Sequence, residues 1–372
     1  MKVCHVTRQF HPAIGGIETV VWHLCQNLKQ QGCEVFVITL DRLFDQPSKK
    51  LPATEVVDGI QVQRVPYRGP RQYAIAPTVL KYIRDCDVIH LHSSDFFLDW
   101  LTWTKWIHAK PIVLSTHGLY FHTPFARRLK EVYFRTMGKI NFSLVDTIVC
   151  DSQQDFDLLS DRAYSKLRLI PNGIDFETLA KNSAHERDPD LILAVGRLAS
   201  NKRYDRMLKT FQLVVRQRPS ARLVIVGPDW GELSDLQKLA QDLDIGNSVS
   251  FTGPVSSQEL HTLLHQANVW LSSSEYESFG VALLEAMAAK CVPIVHTLPA
   301  FQQLVEDNVQ GFFVDFDESA LAAATILGVL ELPSQKRRQV VTNAQLQAAK
   351  FNWHNIAQKF LLIYEEVVEK MK

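Results

Sequence analysis

The feature that most limits how this chain can fold is a series of short apolar runs that alternates with helix-forming segments and starts twice. Residues 3–7 form the first run, followed by the turn Gln9-Phe10-His11-Pro12-Ala13-Ile14-Gly15-Gly16. Over residues 18–30 the apolar positions recur with helical spacing, with Val20, Val21, Leu24 and Leu28 on one face and Gly32 placed to end the helix. Residues 35–40, 88–91, 112–115 and 147–150 continue the series as buried-strand candidates. It then restarts: residues 191–197 run into a turn, 206–218 are helical, and 222–227, 249–252, 269–272 and 292–295 follow as strands. Apolar strands separated by helices indicate parallel sheets covered on both faces. With 372 residues the chain exceeds one ordinary core. Two Rossmann-like α/β domains are therefore expected, over residues 1–175 and 188–354, with the polar stretch 181–190 as linker.

Lys+Arg and Asp+Glu both number 40, so the overall charge gives no reason to expect a nucleic-acid partner. No apolar run approaches the roughly 20 residues that a membrane-spanning helix needs. The start of the sequence lacks a long apolar segment with a small-residue cleavage site, so no secretory signal is expected. The cysteines at 4, 25, 33, 86, 150 and 291 form no CxxC pair. They read as small core residues in a reducing cytoplasm.

In parallel α/β sheets, ligands bind beyond the carboxyl ends of the strands, which is where chemistry is sought. Gly15 and Gly16 follow the first strand. Glycines there let a ligand approach backbone N–H groups at a helix start, although an ordinary strand-to-helix turn carries them too. The GxGxxG spacing of a nicotinamide site is absent. Arg197 and Lys202 follow the first strand of the second half, where two cations can hold a diphosphate and neutralise it as it leaves. The segment from Glu275 to Ala289 carries the most information. Ser278 is placed to cap a helix beginning at Phe279 or Gly280, whose N–H groups would face a phosphate. Glu277 lies in the loop before it. Glu285 falls two turns in, on an apolar segment where a carboxylate is costly unless paired or ligand-bound.

His117, in Ser115-Thr116-His117-Gly118, follows a strand of the first half and could bond a sugar hydroxyl; a lone histidine is more often structural. His90, His92, His261 and His265 make no metal pattern, and the DxD spacings at Asp85, Asp155 and Asp315 lie away from the phosphate candidates. All of these are read as structural, and no metal or cofactor is expected. Residues 121–139 combine Phe125, Tyr133 and Phe134 with Arg127, Arg128, Lys130, Arg135 and Lys139, downstream of Trp100, Trp103 and Trp106. That mixture suits an anionic membrane interface, as it would also suit a solvated helix face.

These residues together resemble family 4 of the retaining GT-B glycosyltransferases, over nearly the whole chain. The first half is similar to the α-1,3-mannosyltransferases of xanthan and acetan exopolysaccharide assembly. The similarity lies in Arg8-Gln9-Phe10-His11-Pro12, Thr39-Leu40-Asp41-Arg42, Tyr67-Arg68-Gly69, Ile75-Ala76-Pro77 and Ser115-Thr116-His117-Gly118 with His122-Thr123. The resemblance implies a GT-B fold whose parallel sheets face a cleft, with a C-terminal helix, about 355–372, returning to the N-terminal acceptor-binding domain. It implies GDP-mannose as donor and a polyprenyl-diphosphate-linked oligosaccharide as acceptor, at the cytoplasmic face of the plasma membrane. Gly16 would approach the donor phosphates and His117 the transferred sugar. Arg197 and Lys202 would bind the diphosphate, Glu277 the sugar hydroxyls, the N–H groups of Phe279 and Gly280 the phosphate and sugar, and Glu285 the ribose. Arg203 and Ser278 depart from the family, standing where glycine is common; the first bears on the backbone path of its loop. Retention by front-face attack without a metal follows from the family.

Other readings are a family 4 transferase using a UDP-sugar or GDP-glucose, an NAD-dependent oxidoreductase, and a non-enzymatic sugar-nucleotide binder. The oxidoreductase lacks its glycine fingerprint and leaves Glu277 and Glu285 unexplained. A decayed transferase would typically have lost Lys202 or a glutamate.

Overall fold

The computed structural model describes residues 1–13, 15–92, 94–118, 133–181 and 186–371. The chain divides into two compact units, Met1–Gly173 with Trp353–Lys372, and Ile174–Asn352.

The first unit is built on strands β1 (Lys2–Val6), β2 (Glu34–Leu40), β3 (Thr54–Val57), β4 (Ile60–Val65), β5 (Val88–Leu91), β6 (Ile112–Ser115), β7 (Thr147–Cys150) and β8 (Leu167–Leu169). They lie in the order β3-β4-β2-β1-β5-β6-β7-β8. All neighbours are parallel except β3 and β4, which form a hairpin. The apolar-run reading does not mark this hairpin, because Thr54, Glu55, Gln61 and Gln63 interrupt it with polar residues. Its signal is the turn Asp58-Gly59, with φ of 49° and 76°.

The helix Gly16–Gln30 covers one face and ends as the glycine requires. Gly32 adopts φ +85°, and the N–H of Cys33 turns back to the Leu28 carbonyl at 3.0 Å. The last helix, Trp353–Glu369, buries Ile356, Phe360, Ile363, Tyr364 and Val367 in one cluster with Val21, Leu24 and Leu28. Each such side chain, fully buried, contributes about 1.5–3 kcal/mol, which secures the chain's end to the first unit.

The second unit holds β9 (Asp188–Val195), β10 (Arg222–Val226), β11 (Val249–Gly253), β12 (Ala267–Ser272), β13 (Val292–His296) and β14 (Phe312–Val314). They form one parallel sheet in the order β11-β10-β9-β12-β13-β14. The division between units falls at Gly173 and Ile174, ahead of the polar stretch read as linker. The reason is packing: Ile174 and Leu179 are buried in the second unit's core, and the Ile174 N–H bonds the Phe351 carbonyl at 2.9 Å. β9 then begins within that polar stretch, at Asp188.

Both sheets reverse their strand order at the first strand of the series. β1 lies between β2 and β5, and β9 between β10 and β12. Crossovers run opposite ways on the two sides of such a point, so the strand-end loops part there and leave room for a ligand.

Candidate active site

In the second unit the site is assembled from the loops that follow β9, β10 and β12. Gly196 and Arg197 directly follow β9, and a 3-10 turn, Ser200–Lys202, comes next. This loop is stitched to the one after β12. The Ser273 hydroxyl lies 2.9 Å from the carbonyls of both Lys202 and Arg203, and the Glu275 N–H donates to the Asn201 carbonyl at 2.9 Å. The join brings Lys202 Nζ to 2.6 Å from Glu277 Oε1, which also accepts from the Ser274 hydroxyl at 2.9 Å. Both side chains of the ion pair are largely buried, at 14% and 19% exposure, so removing one partner leaves the other's charge poorly solvated.

Arg203 adopts φ +49°. That left-handed conformation is one that glycine enters without strain and a side chain does not, which fits the glycine that the family resemblance implies there. The arginine is held there by ion pairs to Asp205 and Glu275. Arg197 is exposed, and its guanidinium lies 4.1 Å from the ring centre of Trp230, in the loop after β10. Gly227, also after β10, has φ +151°, and a Cβ there would lie 2.6 Å from the carbonyl carbon of Gly196. Glycine at 227 is thus what lets the two loops pass. Sequence reading singled out neither Trp230 nor Gly227; their signal is position, just past a strand end.

The helix after β12 is Val281–Ala288, and its N-cap is Gly280 at φ +106°. Ser278 does not cap it, and the glycine that does has no side chain to bond the first N–H groups. The left-handed turn at Gly280 places Ser278 before the cap, exposed. No acidic residue occupies the first turn, so the positive end of the helix dipole is not met by the helix's own carboxylates. Phe279 is buried in the core while Gly280 is partly exposed. Glu285 sits in the second turn, and burial pushes its carboxyl up to about 7.

The first unit holds Gly15, Gly16 and His117. Gly16 opens the first helix, is exposed, and has nothing within 4 Å of where a Cβ would stand. Glu18 turns its carboxylate toward Gly15, at the same helix start. The segments that carried the family resemblance converge here. Gln9 bonds the Arg42 carbonyl at 3.1 Å, Arg42 bonds the Tyr67 carbonyl at 2.6 Å, and the backbones of Arg68 and Ile75 pair. A cavity of about 700 Å³ lies beside them, lined by Gln9, Ala13, Glu18, Phe44 and Arg71 among others.

His117 follows β6 with φ +47°. Its loop is held by Asp155, whose Oδ2 accepts from the Thr116 hydroxyl at 2.6 Å and the Gly118 N–H at 3.1 Å. Asp155 is thus one of the acidic spacings read as structural, and it is structural to this loop. His117 retains some surface exposure but is densely enough surrounded that its pKa falls to about 4. Its Nε2 lies 2.9 Å from Nδ1 of His92. Among the described residues His5, His90 and His92 also bring ring nitrogens within 4.8 Å of one another, a cluster the sequence alone does not bring together. His122, Thr123, and residues 121–132 of the basic aromatic segment lie outside the described residues. No described helix is long and apolar enough to cross a membrane.

Comparison with known proteins places these loops in context. Residues 14–178 match a family model described as Glycosyltransferase Family 4, and residues 175–347 one described as Glycosyl transferases group 1. The GDP-mannose:cellobiosyl-diphosphopolyprenol alpha-mannosyltransferase of Xanthomonas campestris is 36% identical, over 97% of this chain and 96% of its own. A relative of the same description from Komagataeibacter xylinus is 34% identical, over 99% of this chain and 94% of its own. Among solved structures, Anabaena HepE in complex with UDP and glucose aligns with a TM-score of 0.74 at 19% identity, covering 98% of this chain and all of that one, 100%. Sucrose-phosphate synthase from Thermosynechococcus elongatus aligns equally well, at 0.74 and 21% identity over 99% of each chain.

Proposed function

The chain belongs to the family 4, group 1 glycosyltransferases of GT-B fold, and from that premise we propose that it transfers mannose from GDP-mannose to cellobiose carried on a polyprenyl diphosphate. The observation that carries this reading is a match to relatives of that one activity along both units, at 34–36% identity. The second unit would take the nucleotide sugar. Arg197, Lys202 and the N–H groups at the start of the helix Val281–Ala288 would meet the diphosphate, Glu277 the sugar hydroxyls and Glu285 the ribose. Gly16 would approach the donor phosphates and His117 the transferred sugar, and the first unit would also bind the acceptor.

In the reaction the bond between mannose C1 and the β-phosphate oxygen breaks, and a bond from C1 to the acceptor hydroxyl oxygen forms on the same face. The departing phosphate oxygen takes the hydroxyl proton, and GDP leaves. Two cations and a helix start supply the positive field that this departure needs, and the reaction runs without a divalent cation. Assay with lipid-linked cellobiose tests the reading. GDP-mannose should support transfer where GDP-glucose, UDP-glucose and UDP-N-acetylglucosamine do not, and turnover should survive EDTA. Turnover only on a UDP-sugar would overturn the donor assignment. Loss on chelation, restored by magnesium or manganese, would overturn the metal-free mechanism.

The same reading places the enzyme peripherally on the inner face of the plasma membrane, bound to anionic lipid. Trp103, Trp106, Ile107 and Ile140 support it: all are exposed, Trp106 at 82%, and Trp103 donates its indole N–H to Asn141 beside Ile140. Sedimentation with liposomes should show binding to anionic lipid that weakens with salt. Equal recovery in the supernatant with anionic and neutral lipid would remove the membrane from the account.

A further inference from the structure

His5 lies on β1 and His90 opposite it on β5, in register, while His92 follows β5. All three are fully buried. His5 Nδ1 lies 2.9 Å from His92 Nε2, and His92 Nδ1 lies 2.9 Å from His117 Nε2. Successive ring planes differ by only 22° and 17°. A continuous chain of three imidazoles therefore runs from the sheet's interior to His117. A branch steadies it: Tyr364 on the last helix bonds His90 Nδ1 at 2.7 Å, and His90 Nε2 bonds the Ser115 hydroxyl at 2.8 Å, two residues before His117.

The rings are neutral. Burial lowers the pKa of His5 to about 3 and of His117 to about 4, and pushes His90 and His92 down as well. A neutral imidazole has one donor nitrogen and one acceptor, so the protons in such a chain must all point the same way. Its far end fixes that direction. His5 Nε2 is buried with no hydrogen-bond partner among the described residues. If the chain ran inward, His5 Nε2 would carry a hydrogen with nothing to accept it, the costlier kind of orphan. If it runs outward, His5 Nδ1 donates to His92 Nε2, His92 Nδ1 donates to His117 Nε2, and the orphan is only a bare lone pair. His117 then carries its hydrogen on Nδ1.

We propose that His5 and His92 are positioning residues that fix His117 as the Nδ1–H tautomer, so that toward bound substrate it is a hydrogen-bond donor and not a proton acceptor. The contact with substrate rests on the proposed mannosyl transfer; the tautomer does not. The consequence is specific: His117 recognises an oxygen lone pair, of a sugar hydroxyl or a phosphate, and the acceptor's proton must go elsewhere. A metal ion is the rival explanation of the cluster. Five of the six ring nitrogens of His5, His90 and His92 are already in hydrogen bonds, which leaves only His5 Nε2 for coordination.

The experiment is two-bond proton–nitrogen NMR on full-length protein labelled with 15N-histidine at pH 7.5, with His117 assigned by its loss in His117→Gln. Protonated Nδ1 and bare Nε2 at His117 are expected. Protonation at Nε2, or an average of both forms, would overturn the proposal, and this reading needs neither turnover nor a further variant. His92→Phe should abolish the single-tautomer signature and lower kcat/KM by about tenfold. His92→Asn, which keeps an N–H near the lost Nδ1, should restore most of it; a merely space-filling role would show neither the spectral change nor the rescue. An unchanged tautomer and unchanged kinetics in His92→Phe would sink the idea. So would a stoichiometric zinc-induced shift of the His5, His90 and His92 resonances.

Discussion

Lys202 and Glu277 should act as one unit, and a double-mutant cycle can show it. Their charges are 2.6 Å apart and over four-fifths buried, with Ser274 as the carboxylate's other partner. In Lys202→Ala the carboxylate at 277 keeps, among the described residues, only that neutral partner, so it protonates or turns away. The variant thus loses a cation aimed at the diphosphate and the placement of Glu277 as well. Removing one positioned charge stabiliser of a transition state costs about 2.7–4 kcal/mol, or about 100- to 1000-fold in kcat. Glu277→Ala should fall in the same range, because Lys202 then loses the group that holds its ammonium in place. If the two acted independently, the double variant would lose the product, about 10⁴- to 10⁶-fold. Coupling in a shared network reaches about 3 kcal/mol at its upper end, a factor of about 160, and a pair this close and this buried belongs there, so the double variant should lie within about tenfold of the worse single one. The assay is steady-state transfer from GDP-mannose, with circular dichroism to confirm that each variant is folded. A double variant at the full product would refute the coupling, and wild-type kinetics in both single variants would move the active site elsewhere.

Gly227→Ala should lower kcat/KM by about 100-fold, since a Cβ there must push the Gly196 peptide, and Arg197 with it, by about 1 Å; the control Gly246→Ala, whose nearest neighbour is Gln241 Cγ at 3.8 Å, should change nothing. Equal kinetics in the two would show that the β9 loop tolerates displacement. Glu285 has its pKa raised to about 7 in the folded chain, so the folded state binds the proton more tightly than the unfolded one and stability rises as pH falls through 7. Glu285→Gln should therefore raise the melting temperature at pH 8, by up to about 3 kcal/mol of stability, give no gain at pH 4.5, and weaken GDP binding in calorimetry. A gain that does not vary with pH would contradict the burial of the charge. Arg203→Gly relieves a left-handed residue worth about 1–2 kcal/mol but loses ion pairs of about 0–1 kcal/mol each and loosens the unfolded chain. Its urea midpoint should stay within about 1 kcal/mol of wild type, and a larger loss would mean the arginine does more than anchor its own loop.

The sequence by itself determined most of the elements and the strand ends that carry the site, though not the β3–β4 hairpin. Apolar runs such as residues 88–91 and 292–295 are local signals, and a run buried on both faces reads as a strand of a covered parallel sheet. For the same reason Gly196, Arg197, Lys202, Glu277 and Glu285 were legible as a group: each falls just past a strand or on the helix that follows it. What sequence spacing cannot carry is a partner many residues away, because strand order decides which loops meet. Only the fold brings Lys202 to Glu277, 75 residues on, and His5 to His92, 87 residues on. His90 and His92 read as isolated structural residues until β5 is seen between β1 and β6. The helix start after β12 was set by backbone geometry, which chose Gly280 at positive φ over the hydroxyl of Ser278. The left-handed turn at Arg203 was likewise decided by the loop's stitching to Ser273 and Glu275, against the residue's own preference. Local pattern sets what each segment becomes; the crossing order of parallel strands, which local pattern does not encode, sets which chemistry shares a site.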